Sequence, residues 1–203
     1  MLAVIDYGVG NLFSLRSSLE FLGVETVVTS DKTEIEKADR IILPGVGAFE
    51  DAAKKLRDTG MAELVKRQAN SGKPVMGICL GMQLLFEKSF EYGVHEGLGL
   101  IEGFVRPLTD IVPRELKIPQ MGWNALEFTK PDCPVFKYIE NGDYVYFVHS
   151  YYAADCDKDT AAVCDYGARV TAAVSKGNVF GCQFHPEKSG DTGLSILKAF
   201  SEV

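Results

Sequence analysis

The sequence predicts an α/β protein, a twisted, mostly parallel or mixed sheet flanked by helices, held in a single domain over residues 1–203. Three observations carry that expectation. Short apolar runs alternate with helix-length amphipathic stretches in the first half, the signature of strands in a sheet covered on both faces. The second half changes to aromatic and β-branched runs separated by Gly, Pro and Asn, which read as further strands. A chain of 203 residues, 46% hydrophobic and 24% charged, has an ordinary soluble composition and can bury a core without disulfide or metal staples.

In chain order, residues 2–6 form an apolar run followed by Gly8 and Gly10, a buried strand and a tight turn. Asn11 stands where it could cap a helix in which Leu12, Leu15, Leu19 and Leu22 recur at helical spacing, with Gly23 as its stop. Residues 25–29 and 40–43 repeat the strand signal, and residues 49–68 form a charged helical stretch. Residues 74–78 are another buried strand, which passes at Cys79 into a helix over 80–88. Further strands are expected at 104–105, 123–128, 144–153, 169–175 and 179–184. Asp191 or Thr192 then caps a closing helix through Leu194, Leu197 and Phe200.

Charge and composition exclude several functions. A net charge of −7 works against binding to a nucleic-acid backbone. No apolar run approaches the ~20 residues of a membrane span, and Met1 opens directly into strand-like sequence. The expectation is a soluble, cytoplasmic protein. Five cysteines at irregular spacing, with no C-x-x-C pair, suggest reduced thiols and no metal site.

The most informative stretch is Gly77-Ile78-Cys79-Leu80-Gly81. A strand turning abruptly into a helix presents its middle residue on a strained elbow, and the flanking glycines remove side chains that would clash there. The free N–H groups of a helix N-terminus favour a thiolate. A thiol nucleophile needs a proton-transfer partner, usually His held by a carboxylate. Of the three histidines, His95, His149 and His185, the last lies in Gln183-Phe184-His185-Pro186-Glu187 at the end of an apolar run. Residues two apart on a strand point the same way, so His185 and Glu187 could sit side by side. The loop Pro44-Gly45-Val46-Gly47 could offer backbone N–H groups, with that of Leu80, to a tetrahedral oxyanion. On the residues alone other readings stay open: a small buried cysteine between packing glycines, a structural histidine and an ordinary glycine turn.

In order and spacing, the glycine loop, the elbow with its following Met82-Gln83-Leu84-Leu85-Phe86, and Phe184-His185-Pro186-Glu187 resemble the triad-type (class I) glutamine amidotransferases. The motifs Asp6-Tyr7-Gly8-Val9-Gly10-Asn11, Pro119-Gln120-Met121-Gly122-Trp123-Asn124, Phe147-Val148-His149-Ser150-Tyr151 and His185-Pro186-Glu187-Lys188-Ser189-Gly190 further resemble the glutaminase subunits of imidazole glycerol phosphate synthases. Position 120, commonly His in that group, is Gln120 here.

The resemblance implies Cys79 as nucleophile, His185 as acid and base, and Glu187 as its orienter. It also implies an oxyanion hole at Val46, Gly47 and Leu80, and a seat for L-glutamine from Gly45, Gly47, Gln83, His149, Ser150 and Tyr151. A (β/α)8-barrel cyclase partner would receive the ammonia and form imidazole glycerol phosphate and an aminoimidazole carboxamide ribonucleotide. Val9, Asn11, Trp123, Asn124, Tyr146 and Lys188 would lie near its docking face, and the partner would switch on an otherwise slow glutaminase. The expected chemistry uses no metal and no cofactor. Without the resemblance, Trp123 and Tyr146 read as core aromatics, Asn11 as a cap and Lys188 as a solvated charge.

Overall fold

The computed structural model describes residues 1–203. Four short strands of the first half, β1 (Leu2–Ile5), β2 (Thr26–Thr29), β3 (Arg40–Leu43) and β4 (Val75–Ile78), are joined through α1 (Leu12–Phe21), α2 (Lys32–Lys37), α3 (Phe49–Asp58) and α4 (Met61–Asn70). The chain then runs through α5 (Leu80–Gln83), β5 (Lys88–Ser89), β6 (His95–Glu96), β7 (Phe104–Pro107), β8 (Gln120–Ala125) and β9 (Glu127–Phe128). It closes with β10 (Tyr144–His149), β11 (Tyr151–Ala154), β12 (Thr160–Asp165), β13 (Arg169–Lys176), β14 (Val179–Cys182) and α6 (Gly190–Ser201).

The main sheet has eight strands in the order β2-β1-β3-β4-β14-β13-β12-β9. From β2 to β14 neighbouring strands are parallel, and from β14 to β9 they are antiparallel, so the sheet is mixed. Strand alternation sorts its side chains onto two faces. Leu2, Val4, Ile42, Met76 and Ile78 join one core with Leu15 and Leu19 of α1 and Ile196, Leu197 and Phe200 of α6. Ala3, Ile5, Ile41, Leu43 and Val75 join the other, with Ile35 of α2, Phe49 and Leu56 of α3 and Leu64 and Val65 of α4. The two cores hold 30 and 29 buried residues, so neither face of the sheet is left bare. A four-stranded sheet (β11-β7-β5-β6) and the β8–β10 ribbon stand beside the main sheet. No helix is long and apolar enough to cross a membrane.

Several expectations are corrected. The stretch 49–68 is two helices, because Gly60 takes a left-handed conformation (φ 70°) between α3 and α4. The helix expected over 80–88 is the single turn α5, after which Lys88 already pairs in a strand. The run 144–153 breaks at Ser150 into β10 and β11, which belong to different sheets. Likewise 123–128 divides between β8 and β9. Asn11 occupies the N-cap of α1 but makes no side-chain capping bond. The closing helix starts at Gly190 after Ser189, so neither Asp191 nor Thr192 is its cap. Three elements, α2, β6 and β12, fall where no element was expected.

Candidate active site

Parallel strands β1, β3, β4 and β14 present their carboxyl ends along one edge of the main sheet, where ligands of open α/β sheets gather. The elbow stands at the centre of this edge. The Cys79 N–H donates to Cys182 O at 2.8 Å, extending the β4–β14 ladder by one residue before the chain turns. Cys79 then takes φ 53° and ψ −111°, a region that costs a non-glycine residue about 1–3 kcal/mol. Packing enforces it. A Cβ on Gly81 would lie 1.9 Å from Leu43 O, and one on Gly77 would lie 2.5 Å from Gly81 O. Only glycine lets β3, β4 and α5 approach this closely. Because α5 is one turn long, its free first N–H groups, rather than a long helix dipole, are what the elbow offers an anion.

His185 sits beside the sulfur. Its N–H donates to Tyr146 O at 3.0 Å, while Ser189 Oγ donates to His185 O at 2.6 Å and accepts from Tyr146 N at 2.9 Å. Edge-to-face packing of Phe184 on Phe147, 5.7 Å between centroids, holds the segment against β10. The ring Nδ1 meets Glu187 Oε1 at 2.9 Å, both side chains being 3% exposed. The expected pairing is present, but its geometric reason differs: residues Pro186–Lys188 form a 3₁₀ turn, not a strand, and the turn brings Glu187 under the ring. Burial works against a charged imidazole here, yet hydrogen bonds and charge from Cys79 and Glu187 outweigh it and push His185 up to about 9. The imidazolium form of His185 is therefore favoured at neutral pH.

A cavity of about 620 Å³ opens over Cys79 and His185, within the range of small-molecule sites. Val46, Gly47 and Leu80 line one wall. Gln83, His149, Ser150 and Tyr151 line another, and Lys188 lies at the exposed rim. Gly45 does not line it. That residue is buried beneath the loop, where a Cβ would meet Gly81 N at 2.7 Å. The loop's start is held by the Tyr7 hydroxyl, which donates to Pro44 O at 2.8 Å; burial, with Cys79 nearby, keeps that hydroxyl protonated. The Gln83 amide donates to both Tyr151 O and Gln183 Oε1 at 3.0 Å. Burial pushes His149 down to about 4, with the charge of His185 adding to the effect, so its ring is neutral and Nδ1–H donates to Tyr151 O at 2.8 Å.

Gln183 and several lining residues, Glu91 and Tyr92 among them, escaped the sequence reading. Gln183 is fully buried and donates through Nε2 to Cys79 Sγ at 3.7 Å; it adjoins the His-Pro-Glu motif, and that adjacency was the available signal. Glu91 lines the cavity and accepts from Phe49 N at 2.6 Å, reaching it from a loop after the two-residue strand β5, which leaves no sequence signal. Tyr92 beside it holds a left-handed conformation (φ 52°) and packs edge-on to Tyr151.

Of the residues expected near a docking face, Trp123 and Tyr146 pair across the β8–β10 ribbon, their rings 6.0 Å apart and edge to face. Trp123 is 52% exposed and therefore no core aromatic. Asn124 donates to Asp165 O at 3.1 Å and accepts from the buried Gln120 at 3.0 Å. Val9 and Asn11 are half-buried in the loop after β1, on the same sheet edge as Cys79. All five cysteines are free and buried, and no cluster of His, Cys, Asp and Glu is arranged to hold a metal ion.

Comparison with known proteins agrees with this geometry. A family model described as glutamine amidotransferase class-I matches residues 3–202. The chain is 54% identical to the imidazole glycerol phosphate synthase subunit HisH of Caldanaerobacter subterraneus subsp. tengcongensis, covering 100% of this chain and 98% of the relative. It is 49% identical to the HisH subunit of Bacillus cereus, with 100% and 95% covered. Among solved structures, a glutamine amidotransferase matches with a TM-score of 0.75 at 19% identity, over 99% of both chains. PurLQS from Thermotoga maritima matches with 0.75 at 23% identity, over 98% of this chain and 96% of that one. These two show the shared fold; the two HisH relatives and the family model place the sequence. The chain belongs to the class-I glutamine amidotransferases, in the branch formed by the HisH subunits of imidazole glycerol phosphate synthase.

Proposed function

We propose that residues 1–203 act as one glutaminase domain that hydrolyses L-glutamine to glutamate and ammonia. The ammonia passes to a (β/α)8-barrel cyclase subunit, which makes imidazole glycerol phosphate and an aminoimidazole carboxamide ribonucleotide for histidine biosynthesis in the cytoplasm. The observation that carries this reading is a strained cysteine and a carboxylate-backed histidine at the floor of one cavity. The HisH relatives supply the pathway.

The proposed chemistry follows from the atoms present. The Cys79 thiolate adds to the amide carbon of glutamine, forming the C–S bond and moving the carbonyl electrons onto oxygen. N–H groups of the Val46–Gly47 loop and of Leu80 hold that oxyanion. The His185 imidazolium gives its proton to the amide nitrogen, the C–N bond breaks and ammonia leaves. Neutral His185 then takes a proton from water as the water attacks the thioester, and Cys79 departs as thiolate with glutamate released. Glu187 keeps the imidazole oriented and favours its charged form. At the other end of the substrate, the Glu91 carboxylate and the free oxygen of Gln83 suit an α-ammonium group, and the turn at Ser150 and Tyr151 suits the α-carboxylate.

Cys79→Ala tests the assignment. Glutamine-dependent synthesis by the complex with the cyclase should vanish, while synthesis from added ammonium salts continues. Retention of glutamine hydrolysis by the folded variant would remove Cys79 from the mechanism.

A further inference from the structure

We infer that Gln183 is a positioning residue which delivers a hydrogen-bond donor to the reactive sulfur of Cys79, its polarity being dictated by the main-chain carbonyl of Tyr151 acting through Gln83. The inference deepens the glutaminase reading and rests on Cys79 being its nucleophile.

A side-chain amide can be turned end for end, so the direction of an amide network must be fixed by a group without that freedom. Tyr151 O is such a group, since a carbonyl only accepts. It accepts from His149 Nδ1 at 2.8 Å and from Gln83 Nε2 at 3.0 Å, which forces the amino end of Gln83 towards it. The same Gln83 nitrogen reaches Gln183 Oε1 at 3.0 Å, so Gln183 must turn its oxygen to Gln83. Its amino group is then left facing Cys79 Sγ at 3.7 Å. Reversing Gln183 would set oxygen against sulfur and nitrogen against nitrogen at once. The carbonyl of Val148, 4.0 Å from the sulfur, suits only the protonated thiol. Gln183 is thus a second side-chain donor to the charged form, beside the His185 ring, and a donor to a charged group in a buried site stabilises it more than a neutral bond does. The arrangement also joins the substrate wall to the nucleophile, because Gln83 and Tyr151 line the cavity while Gln183, fully buried, stands behind it.

The test compares Gln183→Met and Gln183→Glu with the unaltered chain. Both substitutions keep side-chain length and roughly its volume, so the buried site stays filled. The rate of Cys79 alkylation by iodoacetamide, read by mass spectrometry of the Cys79 peptide, is followed against pH. Loss of the donor in Gln183→Met should slow neutral-pH alkylation by about tenfold or more and displace the rate curve to higher pH. Gln183→Glu should slow it further, because a carboxylate beside the sulfur repels the thiolate. Turnover with glutamine should fall in the same order. A merely structural role would lower the melting temperature and leave the alkylation curve in place. Independently of any substitution, the side-chain amide proton resonances of Gln183 should move as the Cys79 thiolate forms in the unaltered chain. Wild-type alkylation curves in folded variants, or an unmoved Gln183 resonance, would overturn the inference. Failure of the glutaminase reading is a different result: it is turnover surviving in Cys79→Ala, whatever Gln183 does to alkylation.

Discussion

Two neighbouring turns, the elbow after β4 and the glycine loop after β3, end adjacent parallel strands and touch each other, yet they are built in opposite ways. Around Cys79 the backbone is held fast: Gly77 and Gly81 leave no room even for a Cβ, and the Cys79 N–H and C=O are both hydrogen-bonded. The loop is anchored at its start by the Tyr7 bond to Pro44 and by the burial of Gly45. Beyond that point no peptide group of Val46 or Gly47 is bonded to another backbone group, Val46 is 42% exposed, and a Cβ on Gly47 would meet nothing within 4 Å. The nucleophile is therefore placed by packing, whereas the neighbouring donors can rotate at small cost. A glutaminase that must wait for its partner would be controlled at the loop and not at the cysteine.

The largest expected effect breaks the rigid side. Gly81→Ala puts a methyl 1.9 Å from Leu43 O, so β3 and the elbow must separate. Hydrolysis should be lost and the melting temperature should fall, since such overpacking costs typically ~1–3 kcal/mol and occasionally more. Gly47→Ala is the matched control on the mobile side. There the only cost is an L-residue at φ 91°, on the order of 1–2 kcal/mol, and hydrolysis should fall far less than in Gly81→Ala. Equal losses from the two substitutions, measured by thermal denaturation and glutamine turnover, would erase the contrast between the turns.

A smaller effect sharpens the mobile side. Val46→Pro removes one backbone N–H without adding bulk to the packed elbow. Losing one oxyanion donor costs ~10²–10³ in turnover. Turnover of the cyclase-bound enzyme should fall by that factor with little change in melting temperature. In the unaltered chain, turnover should rise from the chain alone, to the chain with the cyclase, to the complex with its nucleotide ligand. Equal turnover in all three states would mean that the donors are permanently in place.

The contrast also explains what could be read in advance. The elbow and the first-half strands were legible because steric necessity writes itself into local sequence: Gly77 and Gly81 have no substitute, and strands buried on both faces are short apolar runs. The His185–Glu187 pair was legible only as a two-residue spacing, which a 3₁₀ turn rather than a strand realises. The strand β12 was not legible, since Thr160, Ala161, Ala162, Val163 and Cys164 are all buried and small, without alternation or aromatic weight. Nor was α2, six residues with Ile35 as the sole buried side chain. The break at Ser150 depends on which sheet receives each side of it, a fact of tertiary pairing. Gln183 and Glu91 enter the site through partners 104 and 42 residues away in the chain, at Cys79 and Phe49, and no local pattern encodes such contacts.

The smallest effect concerns the proton on His185. An unfolded histidine takes its proton near 6.5, whereas the folded site, despite burial, holds it up to about 9 through Cys79 and Glu187. The raised value stabilises the folded chain, fully below about pH 6.5 and progressively less as pH rises through about 9. The same proton is the one that the departing ammonia needs, so the alkaline limb of glutamine turnover should fall near pH 9. Glu187→Gln keeps the shape of the orienter and an acceptor for Nδ1 but removes its charge, so the imidazolium loses one of its two supports. The alkaline limb should move to lower pH, while turnover on the plateau falls less than in Val46→Pro because the ring stays oriented. A profile measured from pH 6 to pH 10, roughly spanning both values, decides the matter. An unmoved limb in Glu187→Gln would mean that Cys79 alone holds the proton on His185, and that Glu187 serves the site through geometry only.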